Sequence, residues 1–257
     1  MNAQPSFVRL FPVGGEVIGQ SENESVLAGL YAYPGAGRWV RANMISTIDG
    51  AVAGDDGKSG SINGPADFRV FEVLRALCDV VVVAGGTARA EGYRALRAPS
   101  RLHGLRASLG LTEHPTLVVV SGSGTGLDEV IAPREGVPAP FLITSARGAA
   151  AATVDTDRVI VVPDHDGALS ATDVMGAVEG LNFRRILCEG GPQLLASLLD
   201  AGVVDEVCVT TAGAVFPGPA GRMSSSAHMS GGVPQRARLA HLLFGDDTLL
   251  ARWVLAP

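Results

Sequence analysis

The run from Arg184 to Thr211, RRILCEGGPQLLASLLDAGVVDEVCVTT, constrains the fold of this chain more than any other stretch. Ile186, Leu187 and Cys188 read as a short buried strand that ends at Glu189, and Gly190-Gly191 supplies a turn whose backbone no side chain shields. Pro192 suits the first position of a helix. Leu194, Leu195, Leu198 and Leu199 then mark one apolar helix face, Gly202 is placed to end the helix, and a second apolar run begins at Val207. Unpaired amides at such a helix start attract anions. Taken alone, the turn serves either as a tight connection or as a seat for a phosphate-bearing ligand.

The rest of the chain repeats the pattern. Short apolar runs at 80–84, 116–120, 141–143, 159–162, 186–188 and 207–210 predict buried strands separated by helices or loops, the mark of an α/β sheet with parallel crossovers. Val40 to Thr47 alternates as a strand. Asn63-Gly64-Pro65 opens a helix whose apolar face carries Phe68, Phe71, Leu74 and Leu77, widened by Val70 and Val73. Leu239 to Phe244 and Thr248 to Leu255 flank Gly245-Asp246-Asp247, predicting an antiparallel hairpin strand that closes the sheet edge. Residues 97–113 read as a surface excursion, and Ala149 to Ala152 as a helix start. Glycines and Pro34 interrupt residues 1–38, which are expected to form an arm packed on a single domain spanning 39–257, with regular structure beginning at Trp39.

Composition narrows the function. A net charge of −6 over 257 residues argues against a broad nucleic-acid surface, which needs clustered Lys and Arg. No uncharged apolar run reaches the roughly 18 residues of a membrane span, and the first residues lack a basic region followed by an apolar run, so a cytoplasmic protein is expected. Cys78, Cys188 and Cys208 each lie in or beside an apolar strand, which suits reduced core residues. His103, His114, His165, His228 and His241 are scattered and no C-x-x-C or H-x-x-x-H pair occurs, so no metal is expected. The expected partner is a small molecule.

Polar constellations gather at the strand ends, where open α/β sheets collect ligands. They are Ser46-Thr47-Ile48-Asp49-Gly50, Lys58-Ser59-Gly60-Ser61, Gly85-Gly86-Thr87 with Glu91, Ser121-Gly122-Ser123, and Glu189-Gly190-Gly191-Pro192. Each alone is also an ordinary turn or helix cap. Together, STIDG at 46–50, GKSGSINGP at 57–65, Leu74-Arg75, DVVVVAGGTARAEGYR at 79–94 and CEGGPQLLASLLDAGVVDEV at 188–207 resemble the reductase domain of riboflavin biosynthesis. That family includes the C-terminal half of the bifunctional deaminase/reductase and stand-alone pyrimidine reductases. The zinc signature of the companion deaminase, H-x-E with P-C-x-x-C, is absent.

The resemblance implies a dihydrofolate-reductase-like fold: a mixed, mainly parallel sheet flanked by helices. It further implies a homodimer that uses NADPH to reduce the ribosylamino group of a pyrimidine 5′-phosphate. By motif position it assigns cofactor contacts to Ile45, Ser61, Thr87, Glu91, Ser121 or Ser123, Gly190, Gly191, Pro192, Gln193, Leu194 and Leu195. Substrate contacts fall to Asn43, Ser59, Arg75, Arg97 and Glu189, with Glu91 the candidate catalytic group. Forked arginine donors suit a phosphate, and Glu189 suits pyrimidine or sugar donors. The chain departs from the family at Asn43, where a lysine is common, and at Glu91, where an aspartate is. The usual D-x-P-x-L-x-x-R run is replaced by Glu91 to Arg97, which leaves Arg94 competing with Arg97 for the phosphate. Two other readings are a reductase of another nitrogen heterocycle such as dihydrofolate, and a non-catalytic nucleotide-binding regulator.

Overall fold

The computed structural model describes residues 5–35, 37–165, 168–218, 221–225 and 235–256. His228 lies outside them. Chain order runs β1 (Phe7–Phe11), β2 (Val17–Ile18), α1 (Ser25–Leu30), β3 (Trp39–Thr47), α2 (Pro65–Leu77), β4 (Val80–Ala84) and α3 (Gly85–Ala90). It continues with α4 (His103–Ser108), β5 (Thr116–Val120), α5 (Asp128–Ile131), β6 (Phe141–Thr144), α6 (Ala146–Ala151) and β7 (Val159–Val161). A small hairpin of β8 (Asp164–His165) and β9 (Ala168–Leu169) leads to α7 (Ala171–Gly180), β10 (Arg185–Cys188), α8 (Pro192–Asp200), β11 (Glu206–Ala212), β12 (Ala237–Gly245) and β13 (Thr248–Leu255).

One sheet holds eleven strands in the order β2-β1-β12-β13-β11-β3-β10-β4-β5-β6-β7. From β11 to β7 every pairing is parallel, while β11, β13, β12, β1 and β2 pair antiparallel. This is the mixed, mainly parallel α/β sheet that the strand pattern predicts. Alternate side chains of the parallel strands enter two cores, one on each face. Val81, Val83, Leu117 and Val119 meet Val70, Val73 and Leu74 of α2, while Val80, Val82, Val118 and Ile186 meet α7 and Leu195 and Leu198 of α8. Strands buried on both faces read as unbroken apolar runs, which is why VVVVA and TLVVV are so legible. The three cysteines are free and buried. Among the described residues no helix is long and apolar enough to cross a membrane.

Four expectations are corrected. Regular structure begins at Phe7 rather than Trp39, because β1 pairs with β12 from the far end of the chain, a partner invisible to local periodicity. Arg69 ties this segment down from α2: it forms two bonds to Glu24 (2.9 and 2.7 Å) and donates to the carbonyls of Pro5 and Gly19 (2.6 and 2.7 Å). The C-terminal hairpin therefore lies inside the sheet, between β11 and β1, and β2 forms the edge. Its turn has Asp246 and Asp247 both at φ 51°, the left-handed pair that a two-residue hairpin requires.

Residues 97–113 are no surface excursion. They contain α4, and both Leu102 and Arg106 are fully buried. The Arg106 guanidinium donates to the carbonyls of Cys78 (2.8 Å), Arg75 (3.0 Å) and Ala76 (3.2 Å), which closes the C-terminal end of α2 with a cation. The alanine run proves to be the C-terminal end of α6, which starts earlier at the Ser145 cap.

Candidate active site

A cavity of about 560 Å³ opens where β3 outruns its neighbour β10. Strand β10 pairs with β3 only as far as Ala42, and the chain then leaves the sheet through Glu189-Gly190-Gly191. That departure exposes Asn43, Met44 and Ile45 on one wall. The opposite walls are Asp67, Phe68, Phe71 and Arg75 of α2, the loop from Val52 to Asn63, and Thr87 with the segment from Ala90 to Arg94.

The glycine turn is as bare as its sequence predicts. Gly190 has φ 88°, a conformation that L side chains rarely adopt, and its carbonyl accepts the Ala84 amide at 2.9 Å. The Gly190–Gly191 peptide is cis. A Cβ on Gly191 would lie 2.4 Å from the Thr87 hydroxyl, so backbone stands where any other residue would fill the space. Gly191 then opens α8, and the first helical bond runs from the Leu195 amide to its carbonyl at 3.0 Å. Amides of Gln193 and Leu194 precede that bond and have no partner within the helix.

Glu189 binds Arg75 through both carboxylate oxygens, at 2.7 and 2.6 Å, and accepts the Tyr93 hydroxyl at 2.7 Å. The Arg75 plane lies 4.0 Å from the Phe71 ring centre and 5.3 Å from that of Tyr93. Burial works against the Arg75 cation, but Glu189 outweighs it and holds the guanidinium above its ordinary range. Burial, reinforced by Glu189, drives the Tyr93 phenol up. Glu91 accepts the backbone and hydroxyl of Ser59 at 2.7 and 2.9 Å through one oxygen, which ties the 52–63 loop to the end of α3. Asp67 is buried and takes the Thr210 hydroxyl at 2.5 Å. Burial pushes its carboxyl up to about 6, although the Thr210 bond pulls the other way.

Of the residues singled out in the sequence, Asn43, Ile45, Ser59, Arg75, Thr87, Glu91, Glu189, Gly190, Gly191 and Pro192 share this cavity. Others lie elsewhere. Ser61 closes its own loop, donating to Asp56 (2.8 Å) and the Lys58 carbonyl (2.7 Å). Ser121 and Ser123 belong to the turn after β5, beyond Gly85, whose added Cβ would lie 2.9 Å from that of Ser121. Gln193 is exposed, Leu194 packs against the core, and the Leu195 side chain is buried in it. Arg97 donates to the Glu135 carbonyl (3.1 Å) outside the cavity, whereas Arg94 lines the cavity and pairs with Glu129. Asp67, Tyr93 and the Phe68–Phe71 pair were missed as site residues. Phe68 is 50% exposed, so the apolar face of α2 is divided: Leu74 and Leu77 face the sheet while the two rings face the cavity.

The histidines are less scattered than their spacing suggests. His103, Glu113 and His114 bring ligand atoms within 4.8 Å of one another. However, His114 Nδ1 accepts the Ala98 amide at 3.2 Å, which leaves the hydrogen of a neutral ring on Nε2, facing Glu113. That nitrogen offers no lone pair to a metal.

The model of the RibD C-terminal domain matches residues 38–247. The 2,5-diamino-6-ribosylamino-4(3H)-pyrimidinone 5′-phosphate reductase of Methanothermobacter thermautotrophicus is 26% identical over 180 residues, covering 70% of this chain and 80% of that protein. Its namesake from Archaeoglobus fulgidus is 28% identical over 174 residues, 66% of this chain and 77% of that one. Among solved structures, a pyrimidine reductase-like protein from Corynebacterium diphtheriae superposes with a TM-score of 0.73 at 22% identity, covering 90% of this chain and 99% of that one. The Thermotoga maritima deaminase/reductase gives a TM-score of 0.62 at 19% identity, 86% of this chain matching 57% of the longer protein. With four-fifths of its length matched by the domain model and a sheet shared with these structures, the chain belongs to the RibD C-terminal domain family.

Proposed function

We propose that the chain is an NADPH-dependent reductase that converts the ribosylamino group of a pyrimidine 5′-phosphate into a ribitylamino group; its archaeal relatives are named as reductases of a ribosylamino-pyrimidinone 5′-phosphate. The observation that carries this reading is the meeting, in one cavity, of a bare glycine turn at a helix start with an aromatic pair and a braced carboxylate. Bound NADPH supplies the hydride.

The residues present fit such a cofactor. Thr87, the Gly190-Gly191 backbone and the amides of Gln193 and Leu194 offer close approach and donors for a pyrophosphate. Gln193 and Leu194 thus serve through backbone, while the Leu195 amide is already bonded to the Gly191 carbonyl, and the Ser121 to Ser123 turn extends the same edge for a distal phosphate. On the substrate side, Phe68 and Phe71 provide a stacking wall for a planar base. The side-chain carbonyl oxygen of Asn63 is buried without a donor and meets a ligand N–H or O–H. Arg75 fixes Glu189 for hydrogen bonding to the base or sugar, and Arg94 reaches the 5′-phosphate. Glu91 holds the Ser59 loop over the sugar. A cytoplasmic homodimer completes the proposal.

The test follows absorbance of NADPH at 340 nm with the ribosylamino pyrimidine phosphate and, separately, with dihydrofolate. Oxidation with the first and not the second is expected. NADPH binding without turnover of either compound defeats the reading in favour of a regulator.

A further inference from the structure

Three carboxyl groups line the cavity, and their surroundings differ in kind. Both oxygens of Glu189 are engaged by Arg75, and Tyr93 adds a third donor. Glu91 accepts two bonds from Ser59. Asp67 is the most isolated of the three: it is 5% exposed, and among the described residues its one side-chain partner is the Thr210 hydroxyl. Titratable groups near it are the Tyr31 phenol behind α2, which feels its charge, and Asp246, whose carboxylate lies 3.8 Å from where Gly64 at the helix start would carry a Cβ. Neither supplies a positive charge, and among the described residues no cation pairs with Asp67.

The position matches a chemical need. Opening a ribosylamine and adding hydride at C1′ consumes one proton as well as the hydride. Something buried must deliver that proton where water is scarce. Thr210, the partner of Asp67, is paired in register with Ile45 of β3, and Ile45 lines the same cavity as Asp67 and the glycine turn proposed to take the cofactor's pyrophosphate.

We propose that Asp67 is the proton donor of the reduction, passing its carboxyl hydrogen to the ring oxygen of the substrate's sugar; this rests on the reductase reading above. The C1′–O4′ bond breaks with its electron pair on the newly protonated oxygen, and the exocyclic nitrogen lone pair forms a C1′=N iminium. Hydride from NADPH then adds to C1′, and the π pair returns to nitrogen. Asp67 is left as carboxylate and regains a proton from solvent. Each turnover thus moves one hydride and one proton, and NADPH leaves as NADP⁺. A carboxyl that titrates near pH 6 holds enough of its acid form near neutrality for this role.

The experiment measures single-turnover NADPH oxidation across pH on wild type, Asp67→Asn and Thr210→Val, with NADPH affinity by fluorescence titration. Isotope-edited infrared spectra of the substrate-free protein monitor the carboxylic acid band. Wild type should be fastest below about pH 6 and fall about tenfold per pH unit above it. Asp67→Asn should be at least about 100-fold slower at pH 6, flat across that limb, unchanged in NADPH affinity and without the acid band. Thr210→Val removes the bond that lowers the carboxyl, so both the limb and the band should move to higher pH. A folded Asp67→Asn protein that keeps the rate, or is slow but keeps the limb, overturns the assignment. If Asp67→Asn does not fold, an unmoved limb in Thr210→Val overturns it. Wild type that binds NADPH but never oxidises it with the pyrimidine phosphate defeats the reductase reading itself, a result separable from either outcome at Asp67.

Discussion

Replacing Arg75 with alanine tests whether this arginine is a phosphate anchor, as its motif position suggests, or the brace of Glu189 that the geometry shows. Two bonds of 2.7 and 2.6 Å join the pair, with the Glu189 side chain 2% and the Arg75 side chain 23% exposed. Removing one member of a fully buried pair costs about 3–5 kcal/mol, because the other charge is left uncompensated. The partial exposure of Arg75, and cavity water that can hydrate Glu189, reduce this to about 2–3 kcal/mol. In a chain of this size that lowers Tm by about 5–10 °C. Changing Glu189 to Gln in the same molecule removes the stranded charge, so the double variant should be more stable than the sum of single losses predicts, by at least about 1 kcal/mol. Thermal and urea unfolding of the four proteins measures this coupling. Loss of the brace should also lower kcat/KM for phosphorylated and dephosphorylated substrate alike. A neutral Arg75→Ala, or strictly additive losses, refutes the brace; selective loss of the phosphate preference restores the anchor.

If Arg94 holds the phosphate, Arg94→Ala should lower kcat/KM by about 10- to 150-fold for the phosphorylated substrate and little for the dephosphorylated one, from steady-state kinetics on both. At Gly191, alanine should weaken NADPH binding measured by fluorescence titration, because its Cβ falls 2.4 Å from the Thr87 hydroxyl. Since the Gly191 φ of −67° suits alanine, adding Thr87→Ala should recover folding and part of the affinity, and failure to do so locates the obstacle elsewhere. Burial raises the Asp67 carboxyl from the ordinary 3.8 to about 6 in the fold, so the native state binds more protons between these limits and loses stability as pH rises through them. Asp67→Asn should therefore gain on wild type from about pH 4 to 6, by at most about 3 kcal/mol, in urea unfolding; a pH-independent difference contradicts the raised carboxyl.

What the sequence made legible follows from which signals are local. Strands buried on both faces, such as Val80 to Ala84 and Thr116 to Val120, announce themselves by apolar runs alone, and Pro192 with Gly202 brackets α8 by backbone chemistry. Strand β1 lacked such a signal. Phe7 is its one buried residue, and its pairing depends on a hairpin more than 220 residues away. Arg106 was illegible for a related reason: in a polar run it reads as solvated, and only the arrival of α2 turns its guanidinium toward buried carbonyls.

The site divides along the same line. Residues whose role lies in the backbone or a short motif, Gly190, Gly191, Thr87 and Ser59, are found from sequence and meet in the cavity. Helix α2 misleads because periodicity identifies an apolar face without saying what covers it. Phe68, Phe71, Leu74 and Leu77 satisfy one helical spacing, yet the cavity replaces the sheet beneath the first two rings. Asp67 is hidden in the same turn. Beside Pro65 it has the pattern of an ordinary acidic residue favouring a helix N-terminus, and a carboxylate there is expected to face water. What changes its chemistry is Thr210, 143 positions away on β11, which offers a single hydroxyl in place of solvent. A group can thus carry a conventional local signal and an unconventional proton affinity, because the first depends on neighbours in sequence and the second on what the fold removes from water.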